Sequence, residues 1–185
     1  AQCERISRVM SQFLSLTRPA PEAEDAAADA SHTAREVVAF LGHECRRSKV
    51  RAEVVAPGAV RVRCSHDRLF QVLFNLCMNA LHAQPDGGRL RVRVTTETDR
   101  REGFDDRTMA CIEIADAGPG VPEALRGKVF DPFFSTRHAS GGTGLGLAVV
   151  AGIVRDRDGR VTVTQADADD PGLTGAVFRV LLPLG

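Results

Sequence analysis

The chain has 185 residues, 43% of them hydrophobic and 26% charged, and contains neither Trp nor Tyr. That is the composition of one folded domain with flanking sequence, able to bury on the order of 70% of its unfolded surface. Lys+Arg and Asp+Glu are equal at 24 each, so no bulk charge favours a nucleic acid or a membrane surface, and base stacking would fall on Phe alone.

Residues 4–17 carry Ile6, Val9, Met10, Phe13 and Leu14 at helical spacing. This single apolar stripe wants a helical partner outside the chain, and the helix should stop ahead of Pro19. A Pro-, Ala- and acid-rich linker follows over 19–30. Ser31 is a candidate N-cap for a helix over about 32–48, with Val37, Val38, Phe40 and Leu41 inward and Arg46, Arg47 and Lys49 near its negative end. Short strands are expected over 51–55 and 59–64, separated by Pro57-Gly58. Ser65 then opens a long helix over about 66–84, burying Leu69, Val72, Leu73, Leu76 and Leu81.

Beyond the turn at Pro85-Asp86-Gly87-Gly88, strands are expected over 89–97 and 109–115. The second is an apolar run suited to a buried position in a sheet. Residues 117–143 hold five of the 17 glycines and little periodicity; a loop that long inside a compact domain is usually functional. A helix from about Gly144 to Arg155 and strands over 160–165 and 176–183 complete the chain. Strands and helices so mixed indicate an α+β class, a two-layer sandwich with a mixed sheet and helices on one face. Five cysteines without C-x-x-C spacing read as free thiols. No apolar run reaches the ~18 residues needed to cross a bilayer, and no signal peptide opens the chain.

Four segments carry chemistry, and each has a plain structural reading beside the functional one. Asn75, Asn79 and His82 fall at i, i+4 and i+7, on one face of the long helix. They are either solvated surface or a row of oxygen ligands and hydrogen-bond donors for a magnesium-bound phosphate group. Asp116-Ala-Gly118-Pro-Gly120 follows the apolar strand. It is either an ordinary Asp-Gly turn or a carboxylate that accepts from an exocyclic amine, with glycines admitting a flat ring. Phe130-Asp-Pro132-Phe133-Phe134-Ser-Thr-Arg137 either pins the loop to the core or flanks a ligand, with Arg137 in reach of a terminal phosphate. Gly141-Gly142-Thr143-Gly144-Leu145-Gly146 opens a helix. It is either a flexible loop or an anion site built from free N–H groups. No Lys-Ser/Thr follows, so it is not a P-loop, and its spacing departs from the dinucleotide fingerprint.

In this order and spacing, the four segments resemble the catalytic domain of sensor histidine kinases, within the superfamily shared with gyrase, heat-shock chaperone and mismatch-repair ATPases. The resemblance covers residues 31–185. It implies ATP and Mg²⁺ as cofactors, with Asn79 as magnesium ligand, Asn75 supporting it, and His82 near the phosphates. It also implies that Asp116 holds the adenine amine while Gly118 and Gly120 shape the pocket. Phe130 to Phe134 resemble the phenylalanine box of a lid over ATP. Gly142, Gly144 and Gly146, with Thr143 and Leu145 between them, resemble the second glycine box facing the phosphates. Many members place Thr where Ala176 stands, so the resemblance implies that a polar or water-mediated contact to adenine is missing here.

The resemblance further implies γ-phosphoryl transfer to a histidine on an upstream hairpin, relay to a response regulator, and a dimeric full-length kinase with a cytoplasmic catalytic domain and, in some members, a membrane anchor. Residues 1–18 then read as the tail of the hairpin's second helix. Hydrolysing members carry Glu at the place of Asn75, and an amide cannot take a proton from an attacking water. His43-Glu-Cys-Arg46 imitates the acceptor motif but lies too close to Asn75 and lacks the expected Pro. The acceptor is therefore expected before residue 1. The alternatives are a catalytically inactive nucleotide-binding module, a serine kinase of the same superfamily, and an ATP-driven clamp, which the absence of Glu at position 75 disfavours.

Overall fold

The structure, a computed structural model, describes residues 27–100, 106–135, 143–166 and 172–185. The helix expected over 4–17 and the site candidates Arg137 and Gly142 lie outside the described residues. Five strands form a mixed sheet in the order β2 (Val50–Val55), β4 (Gly88–Asp99), β5 (Arg107–Asp116), β7 (Ala176–Pro183), β6 (Arg160–Gln165). β2 and β4 run parallel and every other pair antiparallel. A small antiparallel pair joins β1 (Ala28–Asp29) to β3 (Arg61–Val62). Three helices pack with the sheet: α1 (Ala30–Phe40), α3 (His66–His82) and α5 (Gly146–Arg155). Two short helices, α2 (Gly42–Arg47) and α4 (Glu123–Arg126), lie between the larger elements.

The core is built by two periodicities meeting. On α3, Leu69, Val72, Leu73, Leu76, Ala80 and Leu81 are all buried. They face Leu90, Val92 and Val94 of β4, Ala110, Ile112 and Ile114 of β5, and Phe178, Val180 and Leu182 of β7 in one apolar cluster. Each fully buried Leu or Ile contributes about 1.5–3 kcal/mol. The apolar run of β5 is explained by its central place, because its other face also buries Met109 and Cys111 with Leu181. Around them runs a lattice of charges, with Arg93 and Arg179 on Glu113, Arg179 on Glu97 and Arg160 on Asp99. Burial raises the Cys77 thiol to about 12 and the Cys111 thiol to about 11. Both remain protonated at neutral pH and neither is a nucleophile. Cys45, Cys64, Cys77 and Cys111 are buried thiols that form no disulfide among the described residues.

Several local expectations are corrected. The helix expected over 32–48 starts earlier and breaks in two. Asp29, not Ser31, is its cap: the Asp29 carboxylate accepts from Ser31 N at 2.9 Å and His32 N at 3.1 Å. The Ser31 hydroxyl instead donates to the Gly58 carbonyl at 2.6 Å. The buried stripe of α1 is Ala30, Ala34, Val37 and Leu41, and Phe40, expected inward, lies 60° or so around the helix from Val37. Phe40 is 69% exposed and rests edge-on against Phe70 and Phe74 at 5.9 and 6.0 Å. Ser65 occupies the N-cap of α3 but makes no capping bond, and its hydroxyl is buried without a hydrogen-bond partner among the described residues.

Candidate functional site

The register between β4 and β5 sets Asp116 opposite Leu90, at the last position of the central strand. Its side chain is 2% exposed. One carboxylate oxygen accepts from Gly118 N at 2.8 Å and from Ala176 N at 3.1 Å. Burial pushes the carboxyl above its ordinary value, and these two N–H groups pull it part of the way back. Gly175 lies directly against that oxygen, where any side chain would overlap it, and its own N–H donates to the Asp116 carbonyl at 2.9 Å. The acid is thus seated on the backbone of the β6–β7 connection. That role for Gly175 and Ala176 was not read from the sequence. Ala176 makes this contact through its backbone, so the bond does not depend on the side chain at that position.

The turn after Asp116 abuts the end of α3. A β-carbon on Gly118 would come within 3.0 Å of Ala83, so the acid and the amide-bearing helix share one wall. Along α3, Asn75 and Asn79 are half-buried and their side-chain amides have no partner among the described residues. His82 is exposed in the last turn. The N-terminus of α5 meets this face, with Gly146 placed so that a β-carbon would stand 3.7 Å from the Asn75 amide oxygen. No side chain caps α5, and its first N–H groups are those a phosphate would use. Thr143 is exposed, with its hydroxyl 3.4 Å from Leu145 N.

The phenylalanine segment divides its labour. Phe130 stands edge-on to Phe178 at 6.3 Å and Phe134 packs against the core, as expected of residues that pin a loop. Phe133 is 69% exposed with a φ of 66°. Its N–H donates to the Gly144 carbonyl at 3.1 Å. Gly144 itself has a φ of 67° and sits 2.5 Å, measured from a β-carbon it lacks, from the Phe133 backbone. Gly120 approaches the side chain of Gln165, whose amide donates to the Thr174 carbonyl.

The arrangement therefore offers a buried acid that accepts, a helix face with amide oxygens, and an uncapped helix start beside it. Among the described residues no three His, Cys, Asp or Glu side chains converge as a metal cage. The amide oxygens of Asn79 and Asn75 suit Mg²⁺, which takes few protein ligands and shares its octahedron with phosphates and water. No helix among the described residues is long and apolar enough to cross a membrane.

The chain is similar to known proteins over most of its length. Residues 64–185 match the family described as histidine kinase-, DNA gyrase B-, and HSP90-like ATPase. Sensor histidine kinase ZraS of Klebsiella oxytoca is 33% identical over 184 residues, covering 99% of this chain and 36% of that protein. The chain thus spans about a third of the length of such curated relatives. Among solved structures, a mycobacterial sensor histidine kinase, MprB, superposes with a TM-score of 0.70 at 28% identity, covering 86% of this chain and 97% of that one. Full-length ShkA, solved in complex with AMPPNP, shares the fold with a TM-score of 0.68 at 22% identity, over 89% of this chain and 32% of that one.

Proposed function

Because the chain belongs to the family of histidine kinase-, DNA gyrase B- and HSP90-like ATPases, we propose that it binds Mg-ATP and passes the γ-phosphoryl group to a histidine on a separate helical hairpin. The phosphohistidine would then supply an aspartate of a response regulator. The carrying observation is the seat of Asp116: one oxygen is committed to Gly118 and Ala176, which leaves the other to accept from the adenine amine. The binding of AMPPNP by a protein of the same fold supports this reading.

In this assignment Asn79 and Asn75 would hold Mg²⁺, and the first N–H groups of α5 would face the phosphates. Magnesium, when bound, neutralises phosphate oxygens and orients them. Phosphoryl transfer asks the protein mainly for position and charge neutralisation. An imidazole nitrogen forms the new N–P bond as the bond to the β-phosphate oxygen breaks, ADP leaves, and the imidazole sheds its proton. Asn75 stands where a hydrolase needs a base, and an amide cannot be one. His43 is exposed on α2 and is assigned no part in the transfer.

The test is calorimetric titration with ATP in excess Mg²⁺, followed by labelled ATP with an added histidine-bearing hairpin. Binding with acid-labile label on the hairpin is expected. Label on His43 of the chain alone would overturn the assignment of the acceptor. Acid-stable label on serine would favour the serine-kinase alternative, and free phosphate as the main product would favour hydrolysis.

A further inference from the structure

We infer that Gln84 is a positioning residue that couples the metal-binding end of the site to the base-binding end. This rests on the nucleotide reading above and adds a residue that reading does not use. Gln84 is 3% exposed, one of few buried polar side chains among the described residues, and follows the end of α3. Its amide nitrogen donates to the Ala80 carbonyl at 3.0 Å, and its amide oxygen accepts from Ala117 N at 3.2 Å. Ala80 is the residue after Asn79, and Ala117 is the residue after Asp116. One side chain therefore fastens a helix carbonyl one residue beyond the proposed magnesium ligand to the peptide N–H that directly follows the proposed adenine acid.

The chemistry selects glutamine. The two sites present an acceptor and a donor, so the bridging group must donate at one end and accept at the other. A carboxylate lacks the donor, and a thioether lacks the donor and accepts only weakly. The bridge is also packed in place: Gly88, at the start of β4, lies against the amide oxygen where any side chain would overlap it. Ala117 N shares its hydrogen with the Arg89 carbonyl at 3.2 Å. Losing Gln84 therefore leaves Ala117 N on the sheet but detached from α3. The sheet and the packing of Gly118 on Ala83 would then hold the base loop, with no hydrogen bond through which ligation at Asn79 could tighten it.

The experiment compares wild type with Gln84→Met, close in volume but without the amide. ATP affinity is measured by calorimetry in excess Mg²⁺ and again in EDTA, and the ratio of the two affinities reports the coupling. The ratio should shrink roughly tenfold in Gln84→Met, within the span usual for coupled sites. A purely packing role would weaken both affinities together and leave the ratio where it was, which overturns the inference. A wild-type chain that fails to bind ATP at all overturns the nucleotide reading itself, whereas binding with an unchanged ratio overturns the bridge alone. Should Gln84→Met not fold, the wild type carries the test by NMR. The Gln84 side-chain amide resonance should move when Mg²⁺ is added to the ATP-saturated chain, and a resonance that stays in place refutes the coupling.

Discussion

A buried carboxylate is costly unless its oxygens are used, and Asp116 uses one on its own fold. Because burial raises its proton affinity, ionised Asp116 costs stability at neutral pH. The sign follows from linkage: a group raised in the folded state contributes stability below its ordinary value of 3.8 and loses it as pH climbs through the raised value. Asp116→Asn should therefore fold at least as stably as wild type. Its amide oxygen can keep the Gly118 and Ala176 bonds, which turns an NH₂ donor toward the base. ATP, with its exocyclic amine, should lose affinity at least about tenfold, the cost of facing donor with donor. Inosine triphosphate, with a carbonyl there, should lose much less. Equal losses for both nucleotides by calorimetry would show that the acid does not face the base.

At the scale of elements, the helix α5 illustrates opposite demands on glycine. Gly144, just ahead of it, has a φ of 67° and no room beside Phe133. Gly152 lies within the helix, with nothing within 4 Å of where a β-carbon would go. Gly144→Ala should lower the melting temperature by about 2–8 °C, since the strained backbone and the overlap together cost roughly 1–2 kcal/mol. Gly152→Ala should raise it by about 1–4 °C, from a gain of roughly 0.5–1 kcal/mol. ATP affinity should fall in the first and hold in the second, and thermal denaturation with calorimetry checks both. The long elements around these glycines were legible because period 3.6 in α3 and the apolar run in β5 survive any context. The pair β1–β3 and the helix α4 span two to four residues each, too short to show a period. Asp29 and Ser31 are both good caps, and only the distant Gly58 carbonyl, which takes the Ser31 hydroxyl, decides between them.

At the scale of the whole molecule, the residue types of the candidate site could be proposed from sequence because each stands in a compact segment. The contacts that join those segments were not. Ala176 reaches Asp116 across 60 positions and Ala117 reaches Gln84 across 33, and backbone donors leave no mark in the sequence. These joints make the site part of the fold, for Asp116 is held by β7, Gly118 abuts α3, and α3 meets α5 at Asn75. Nucleotide that occupies such a site binds the folded chain and not the unfolded one, so it must stabilise the whole domain. At a concentration of Mg-ATP about 100 times its dissociation constant the gain is roughly 2.7 kcal/mol. For a chain of this size that is an upward shift of about 5–11 °C in melting temperature. The shift should be a single cooperative one, reported alike by probes of the sheet and of α3, and should be small for Asp116→Asn under the same conditions. Two separate transitions, with only one moved by nucleotide, would mean that the base and phosphate ends belong to units that unfold independently.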